Sequence, residues 1–160
     1  MGGDARDLFA WASVSANLLA SDRDRNARGV RREAALRKTM SFEYTLANLL
    51  ANNDRAIAVI FVDETGETVD LAVSDFTHYD MKIMGAYMGI YLRQMQELAT
   101  KLEAGLPDVL HIEKDKIHLF TAPLPDGYHL VLVQRRPANV GLSRRTLLKA
   151  RDEIAREIFD

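Results

Sequence analysis

Residues 78–105 constrain the fold more than any other part of the chain. Apolar residues recur there at spacings of four and three, as in a helix with one buried stripe: Met84, Met88, Tyr91, Met95, Leu98 and Leu102. A second row lies one position earlier, about 100° round the helix: Ile83, Tyr87, Ile90 and Gln94. A helix that is apolar over so wide an arc usually has neighbours on two sides. We therefore predict a central helix with its first row in the core.

Two glycines, Gly85 and Gly89, lie four residues apart on this predicted helix. Each costs about 1 kcal/mol of helix propensity relative to alanine, a cost expected where another backbone comes close. Two interpretations stay open. Either the wide face is buried within one subunit, or the second row and the glycines face a twin subunit or a partner protein. The candidate interface residues are then Ile83, Gly85, Tyr87, Gly89, Ile90, Arg93 and Gln94.

The segments around this helix alternate between helical and strand periodicity. Residues 41–50 have helical spacing, 56–62 and 67–74 read as two strands, and 108–112, 117–121 and 128–134 read as three more. An amphipathic helix follows from Leu142. Asp63 to Gly66 form a turn in which Gly66 is expected to have a positive φ. Because the turns are short, the strands should pair antiparallel. The order α-β-β-α-β-β-β-α predicts an α+β domain over residues 41–160.

Residues 1–40 differ in composition, with eight Lys and Arg against five Asp and Glu. We predict a basic, helical N-terminal extension. It is either a loosely docked arm or a docking element whose Trp11 anchors on a neighbouring subunit or partner. A nucleic-acid arm is not favoured, because no aromatic residue lies among the arginines.

Composition excludes several classes of function. The chain has no cysteine, so disulfides, thiolate catalysis and cysteine-ligated zinc are ruled out. With 21 basic and 23 acidic residues, it has no general attraction to nucleic acid. Its longest uninterrupted apolar run is far shorter than the roughly 20 residues of a membrane span. No export signal is apparent, and we expect a cytoplasmic protein.

Candidate chemistry is sparse. His111, His118 and His129 fall on three consecutive predicted strands and could gather a metal only if they shared one face. Asp63 and Glu64 read as solvated turn acids, and Ser143 lacks a companion motif. Arginines near Gly141 could hold an anion at a helix N-terminus, without further support for a nucleotide. We predict no catalytic site, no metal and no cofactor.

Two stretches resemble the roadblock / dynein light chain domain family. "AIAVIFVDETGETV" is similar to its first hairpin, closed by Gly66. "LVLVQRRPANVGLSRRTLLKARDEI" is similar to its last strand, polar loop and basic helix. The match rests on Asn139, Val140, Gly141, Leu142 and Arg144. It covers residues 41–159 and leaves the extension outside. We expect Pro137 to end the last strand and Gly141 to allow the tight reversal into the last helix.

The resemblance implies a profilin-like sandwich: one five-stranded antiparallel sheet with helices on both faces. It implies a homodimer whose sheets pair edge to edge, with the central helices side by side. It also implies a non-catalytic regulator or scaffold of a small Ras-like GTPase, activating or localising it through the central helix, as in bacterial members. The alternative interpretation is a sensory or ligand-binding module of a bacterial signalling system.

Overall fold

The computed structural model describes residues 29–31, which are helical, and residues 42–160. Trp11 and most of the predicted extension lie outside the described residues, so the boundary near residue 40 stays a prediction. The first described helix, α1, covers residues 42–51. The elements that follow are β1 (Ala56–Val62), β2 (Thr68–Val73), α2 (His78–Lys101), β3 (Leu110–Glu113), β4 (Ile117–Pro123), β5 (His129–Arg135) and α3 (Val140–Phe159). The predicted order of elements is confirmed.

The five strands form one sheet in the order β2-β1-β5-β4-β3. Every neighbouring pair is antiparallel. β5 is the middle strand with β1 beside it, and both are almost entirely buried, which explains why both read as continuous apolar runs. The predicted single antiparallel sheet is confirmed, and β2 and β3 are its two edges.

The helices cover both faces of the sheet. On one face, α1 and α3 enclose a core that includes Phe61 and Phe120. On the other face, α2 packs on Ile60 and Val131 through Met81 and Met88. Side chains alternate between the faces along each strand, so each face draws every second residue. The predicted α+β architecture with helices on both faces is confirmed. In the described residues, no helix is long and apolar enough to cross a membrane.

The joint before α3 differs from the prediction. Asn139 caps α3, and its Oδ1 accepts a hydrogen bond from the backbone N–H of Leu142 at 3.1 Å. Gly141 lies inside the first turn of the helix, and a Cβ atom there would meet nothing closer than 3.7 Å. The reversal precedes the helix, so the prediction that Gly141 allows it is wrong. The cap of Asn139 defines where α3 begins.

Buried polar side chains fasten α3 to the sheet. Oγ of Ser143 donates to Oε1 of Gln134 at 2.6 Å, and Nε2 of Gln134 donates to the carbonyl of Asp54 at 2.6 Å. Nδ2 of Asn53, after α1, donates to Oγ1 of Thr146 at 2.9 Å. Because buried polar groups must find partners, these bonds fix the relative positions of α1, β5 and α3. Ser143 is therefore a structural residue.

The arginines at the end of the middle strand β5 make ion pairs with residues of the outer strands and their loops. Arg135 pairs with Asp75, and Arg136 lies 2.9 Å from Glu113. All four side chains are about half exposed. Exposed pairs of this kind contribute little to stability. These arginines are half-exposed residues at the end of β5.

Candidate functional site

The side of α2 that packs on the sheet is built around small residues. Its buried positions form one row: Met81, Gly85, Met88, Gly89 and Leu92. A Cβ atom on Gly85 would lie 2.9 Å from Cγ2 of Ile60 and 3.0 Å from Cγ2 of Val62. Both distances are shorter than the optimal separation of nonbonded carbon atoms. Gly85 therefore lets the helix lie close to β1.

Gly89 makes room for a histidine of β5. A Cβ atom there would lie 2.5 Å from Cε1 of His129. The histidine ring is buried, and its Nε2 lies 3.0 Å from the carbonyl oxygen of Gly85. Burial lowers the pKa of His129, although hydrogen bonds to the carbonyls of Gly85 and Gly127 act in the opposite direction. The neutral ring therefore donates Nε2–H to Gly85 and links sheet to helix.

These contacts correct two predictions. Gly85 and Gly89 face the sheet of their own chain, so the hypothesis that they face a second subunit or a partner is wrong for both. The predicted core stripe is wrong as well, since only Met88 of its six residues is buried and Met84 is half-buried. The other four are exposed: Tyr91, Met95, Leu98 and Leu102.

The outer side of α2 carries a broad apolar surface, which we call the apolar flank. Its members are Ile83, Tyr87, Ile90, Tyr91, Met95, Leu98 and Leu102, and their exposure ranges from 40% to 67%. With 100° of turn per residue, the opposite side of the helix carries polar residues instead: Lys82, Arg93, Gln96 and Thr100. Large exposed apolar patches often mark sites of protein–protein interaction. The apolar flank is therefore the candidate interaction surface.

A groove beside α2 extends the apolar flank onto the sheet. α2 packs mainly on β1 and β2, so it lies off the centre of the sheet. Between the helix and β3–β4 a groove of about 580 Å³ remains. Ile83, Tyr87 and Tyr91 form its helical wall, and Ile112 and Leu119 form its wall on the strands. An apolar surface thus continues from the helix down to the edge strand β3.

The C-terminal part of α2 runs past the sheet. Gly89 lies against His129, the first residue of β5, and the helix continues to Lys101. At 1.5 Å per residue, these twelve further residues extend about 18 Å. Met95 and Leu98 lie on this projecting part and are exposed. The apolar flank therefore has one section beside the groove and one beyond the sheet.

The predicted interface residues fall into three groups. Ile83, Tyr87 and Ile90 lie together in the apolar flank, and Gln94 is exposed nearby. Arg93 lies on the polar side, where its Nη1 donates to the carbonyl of Glu64 at 3.0 Å. The two glycines are buried, as described above. An interface role stays a prediction for the five exposed residues of that set: Ile83, Tyr87, Ile90, Arg93 and Gln94.

The turn between β1 and β2 has the predicted conformation. Gly66 has a φ of +92°, which favours glycine. Oδ1 of Asp63 accepts hydrogen bonds from the N–H groups of Thr65 at 2.9 Å and Glu67 at 3.0 Å. Burial alone would raise the pKa of Asp63, but hydrogen bonds from the Thr65 hydroxyl and from backbone N–H groups of the turn outweigh it and lower the pKa. Asp63 is thus an ionised turn residue.

Arg144, which the family resemblance also singled out, lies on α3, 3.8 Å from Asp108.

The three strand histidines do not share one face. Nε2 of His111 lies 3.0 Å from Nδ1 of His118, and His111 stacks on Phe120 with ring centroids 4.3 Å apart, on the α1–α3 face. His129 lies beneath α2 on the other face. Within residues 29–31 and 42–160, no three His, Cys, Asp or Glu side chains are placed to hold a metal ion.

Part of the site could not be read from helical periodicity. Ile112 and Leu119 form the strand wall of the groove. In the sequence, these two positions are indicated by the alternation of apolar and polar residues along β3 and β4. Which face each strand presents depends on register, and the sequence does not give the register. The apolar flank itself was found only in part, because its outer residues were assigned to the core.

Comparison with known proteins identifies the fold. No family model matches the sequence, and no curated protein matches it significantly. Among solved structures, the chain is similar to a Roadblock/LC7 domain from Streptomyces avermitilis, with 12% identity and a TM-score of 0.67 over 73% of this chain and 97% of that one. It is also similar to MglB of Myxococcus xanthus, with 20% identity and a TM-score of 0.64 over 72% and 92%.

A third similar structure is the gliding protein MglB from Thermus thermophilus. The identity is 16% and the TM-score 0.68, over 75% of this chain and 90% of that one. These likenesses span nearly the whole of each solved chain at low identity, so they establish architecture. The fold that the resemblance implied is confirmed: residues 42–160 have the fold of the Roadblock/LC7 domain.

Proposed function

We propose that the chain is a non-catalytic, dimeric regulator or scaffold of the roadblock type that binds a small Ras-like GTPase through α2 in the cytoplasm. The observation that carries this proposal is the apolar flank, which continues into the groove beside β3–β4. The sequence resemblance supplies the GTPase as partner class. Whether the GTPase is activated or only localised is decided by its hydrolysis rate with and without this protein.

The width of the sheet supports a second copy. Five strands at about 4.8 Å spacing span about 19 Å, whereas one helix is about 10 Å wide. Within residues 42–160, α1 and α3 lie on one face of the sheet, whereas α2 lies on the other face, over β1 and β2. The apolar flank gives α2 of a twin subunit the side chains to fill the place over β3 and β4.

The two sections of the apolar flank allow both partners to bind. A twin subunit beside the groove covers Ile83, Tyr87 and Tyr91. Met95 and Leu98 lie past the sheet and stay accessible. Methionine packs adaptably against partners of different shape. We assign the GTPase to this projecting section and the adjoining face of the dimer.

A double substitution tests the proposal. Ile83→Asp with Tyr87→Asp places two charges in the apolar flank and should give a folded monomer, measured by light scattering with circular dichroism. Lys82→Asp with Thr100→Asp, on the polar side of α2, is the matched control and should remain dimeric. A dimer that persists in the Ile83→Asp, Tyr87→Asp variant would contradict an interface on α2, and a monomeric wild type would contradict the proposed dimer.

The GTPase is tested separately. The tagged protein is incubated with lysate loaded with GTP or with GDP, and retained proteins are identified. We expect a small Ras-like GTPase that is lost with Met95→Asp and Leu98→Asp. Retention of no such GTPase in either nucleotide state would contradict the proposed partner.

The groove favours one alternative, a ligand-binding module. Its volume of about 580 Å³ falls within the usual range of small-molecule sites. A ligand that binds only the folded protein raises its melting temperature. A thermal-shift screen of metabolites should find no stabiliser under our proposal. A stabiliser whose effect is abolished by Leu119→Asp would favour the sensory module instead.

A further inference from the structure

Two histidines meet on the hairpin that β3 and β4 form. Nε2 of His111 lies 3.0 Å from Nδ1 of His118. The strand register places His111 directly opposite Phe120. It also places Glu113 directly opposite His118. Phe120 belongs to the α1–α3 core, and residues two apart or directly opposite share a face, so all four side chains lie on that face. The register therefore brings two imidazoles and one carboxylate together.

Stacking on Phe120 holds both imidazole rings in place. The ring of His111 lies within 7° of parallel to Phe120, with centroids 4.3 Å apart. The ring of His118 lies 5.9 Å from Phe120 at 20°. His118 is only 4% exposed, whereas His111 is open to solvent. The core thus fixes one ring and leaves the other accessible, so a small ion can reach the pair without any opening of the fold.

The distance between the two facing nitrogens suits a chelated metal ion. A histidine nitrogen binds a metal ion at about 2.0–2.1 Å. Two such bonds to nitrogens 3.0 Å apart enclose an angle of about 91–97° at the ion. Angles near 90° are those of tetragonal Cu²⁺ and Ni²⁺. Tetrahedral Zn²⁺ needs nitrogens about 3.3 Å apart. The pair is therefore closer to a copper or nickel site than to a zinc site.

Glu113 lies where it can add a third ligand. Its carboxylate pairs with Arg136 at 2.9 Å, and both side chains are about half exposed. An exposed pair of this kind contributes little to stability, so the carboxylate can turn to an ion at small cost. Arg136 also donates to the carbonyl of Lys114 at 3.4 Å and so retains a partner. In the part of the chain that the structure describes, no three ligands already converge, but two nitrogens do.

We propose that His111 and His118 form a site for Cu²⁺, with Ni²⁺ as the weaker alternative, and that Glu113 turns to the bound ion as a third ligand. Without the ion, one ring donates its N–H to the other. A neutral imidazole can carry its proton on either nitrogen. With both protons on the far nitrogens, the two facing nitrogens each present a lone pair to the ion. The ion then links the edge strand β3 to β4, independently of any dimer or GTPase.

The site is tested by titrating the purified chain with copper(II) chloride, using calorimetry and electron paramagnetic resonance. We expect one Cu²⁺ per chain, with a spectrum that shows coupling to two nitrogens. His111→Ala changes an exposed residue and should leave coupling to one nitrogen. It should weaken binding by at least about 10-fold, because even groups that only hydrogen-bond to metal ligands contribute 10-fold to 100-fold. His78→Ala, at the exposed start of α2, is the matched control and should change neither result.

The outcomes separate a built site from adventitious copper. The chain has four histidines, and copper held by any one of them would show a single coupled nitrogen. Wild-type affinity and an unchanged spectrum in His111→Ala would overturn the site and leave adventitious binding only. Absence of copper binding by the wild type would overturn it as well. Glu113→Gln should keep both nitrogens but bind more weakly, whereas Asp115→Asn, in the adjoining turn, should bind as the wild type does. Equal affinities of these two variants would overturn the role of Glu113.

The link between the two strands is tested by hydrogen exchange and thermal unfolding. An ion that binds only the folded chain raises its melting temperature. It should also slow exchange of the amide protons that β3 donates to β4, because local opening of the edge strand would break a metal–ligand bond. Both effects should disappear in His111→Ala, with its fold checked by circular dichroism. Copper bound by two nitrogens that leaves exchange in β3 unchanged would overturn the link between the strands.

Discussion

Replacing Gly89 with alanine tests the closest approach between α2 and the sheet. Alanine is the better helix former by about 1 kcal/mol, so the change would stabilise a helix with open space at this position. Here the new Cβ atom would lie 2.5 Å from Cε1 of His129, a buried ring. Overpacking a core costs about 1–3 kcal/mol. Displacing the ring also weakens its hydrogen bond to Gly85, which contributes about 1 kcal/mol.

The net effect is a loss of about 2 kcal/mol. For a chain of this length that corresponds to a fall in melting temperature of about 4–8 °C. Thermal and urea unfolding followed by circular dichroism measure it. Gly29→Ala is the matched control, because Gly29 is helical and a Cβ atom there would have no neighbour within 4 Å. That variant should not lower the melting temperature.

A double-mutant cycle attributes the loss to His129. In a His129→Ala background the alanine at position 89 has room, so Gly89→Ala should cost much less or become stabilising. If Gly89→Ala raises the melting temperature of the wild type, as helix propensity alone predicts, the reasoning is refuted. The glycine side of α2 would then be free to face another molecule, as the sequence first suggested.

Two further predictions concern the helix cap and the buried histidine. Asn139→Ala removes the cap of α3 and should lower the free energy of unfolding in urea by about 0.5–2 kcal/mol. Asn139→Asp should keep most of the stability, because aspartate is also a good capping residue. Equal losses of stability in the two variants would contradict the role of the cap. Because the pKa of His129 is lowered on folding, its stabilising effect is complete above about pH 7 and is lost as pH falls below its ordinary pKa. The urea concentration at the unfolding midpoint should therefore drop between pH 7.5 and pH 5, and it should drop less in His129→Asn. An equal drop in the wild type and the variant would contradict the role of His129.

The strands and their order were predictable because each strand has a simple local pattern. β1 is a continuous apolar run inside the sheet, and the glycine at position 66 marks the turn after it, where the observed φ is positive. β5 and α3 are joined by a polar stretch in which Asn139 is a strong capping residue. Each of these signals lies within a few residues of the sequence, so it can be recognised without knowing which elements pack together in the fold.

The packing of α2 could not be predicted in the same way. A search for a core stripe counts large apolar side chains, and glycine has none. The true contact row contains Gly85 and Gly89, which are buried because Ile60, Val62 and His129 fill the space above them. Such complementarity belongs to two elements distant in sequence. The sequence could not show that the three strand histidines lie on different faces for a related reason: register decides which face each one occupies.

The error in the core stripe strengthens the case for an interaction surface. Had Tyr91, Met95 and Leu98 been buried by their own sheet, the second row alone would have been left for another molecule. Instead the sheet contact is completed by other residues, and those three side chains are exposed. Within the described chain, the fold therefore leaves the seven residues of the apolar flank 40–67% exposed. A free energy of about 25 cal/mol for each Å² removed from water then favours association of this surface with another protein.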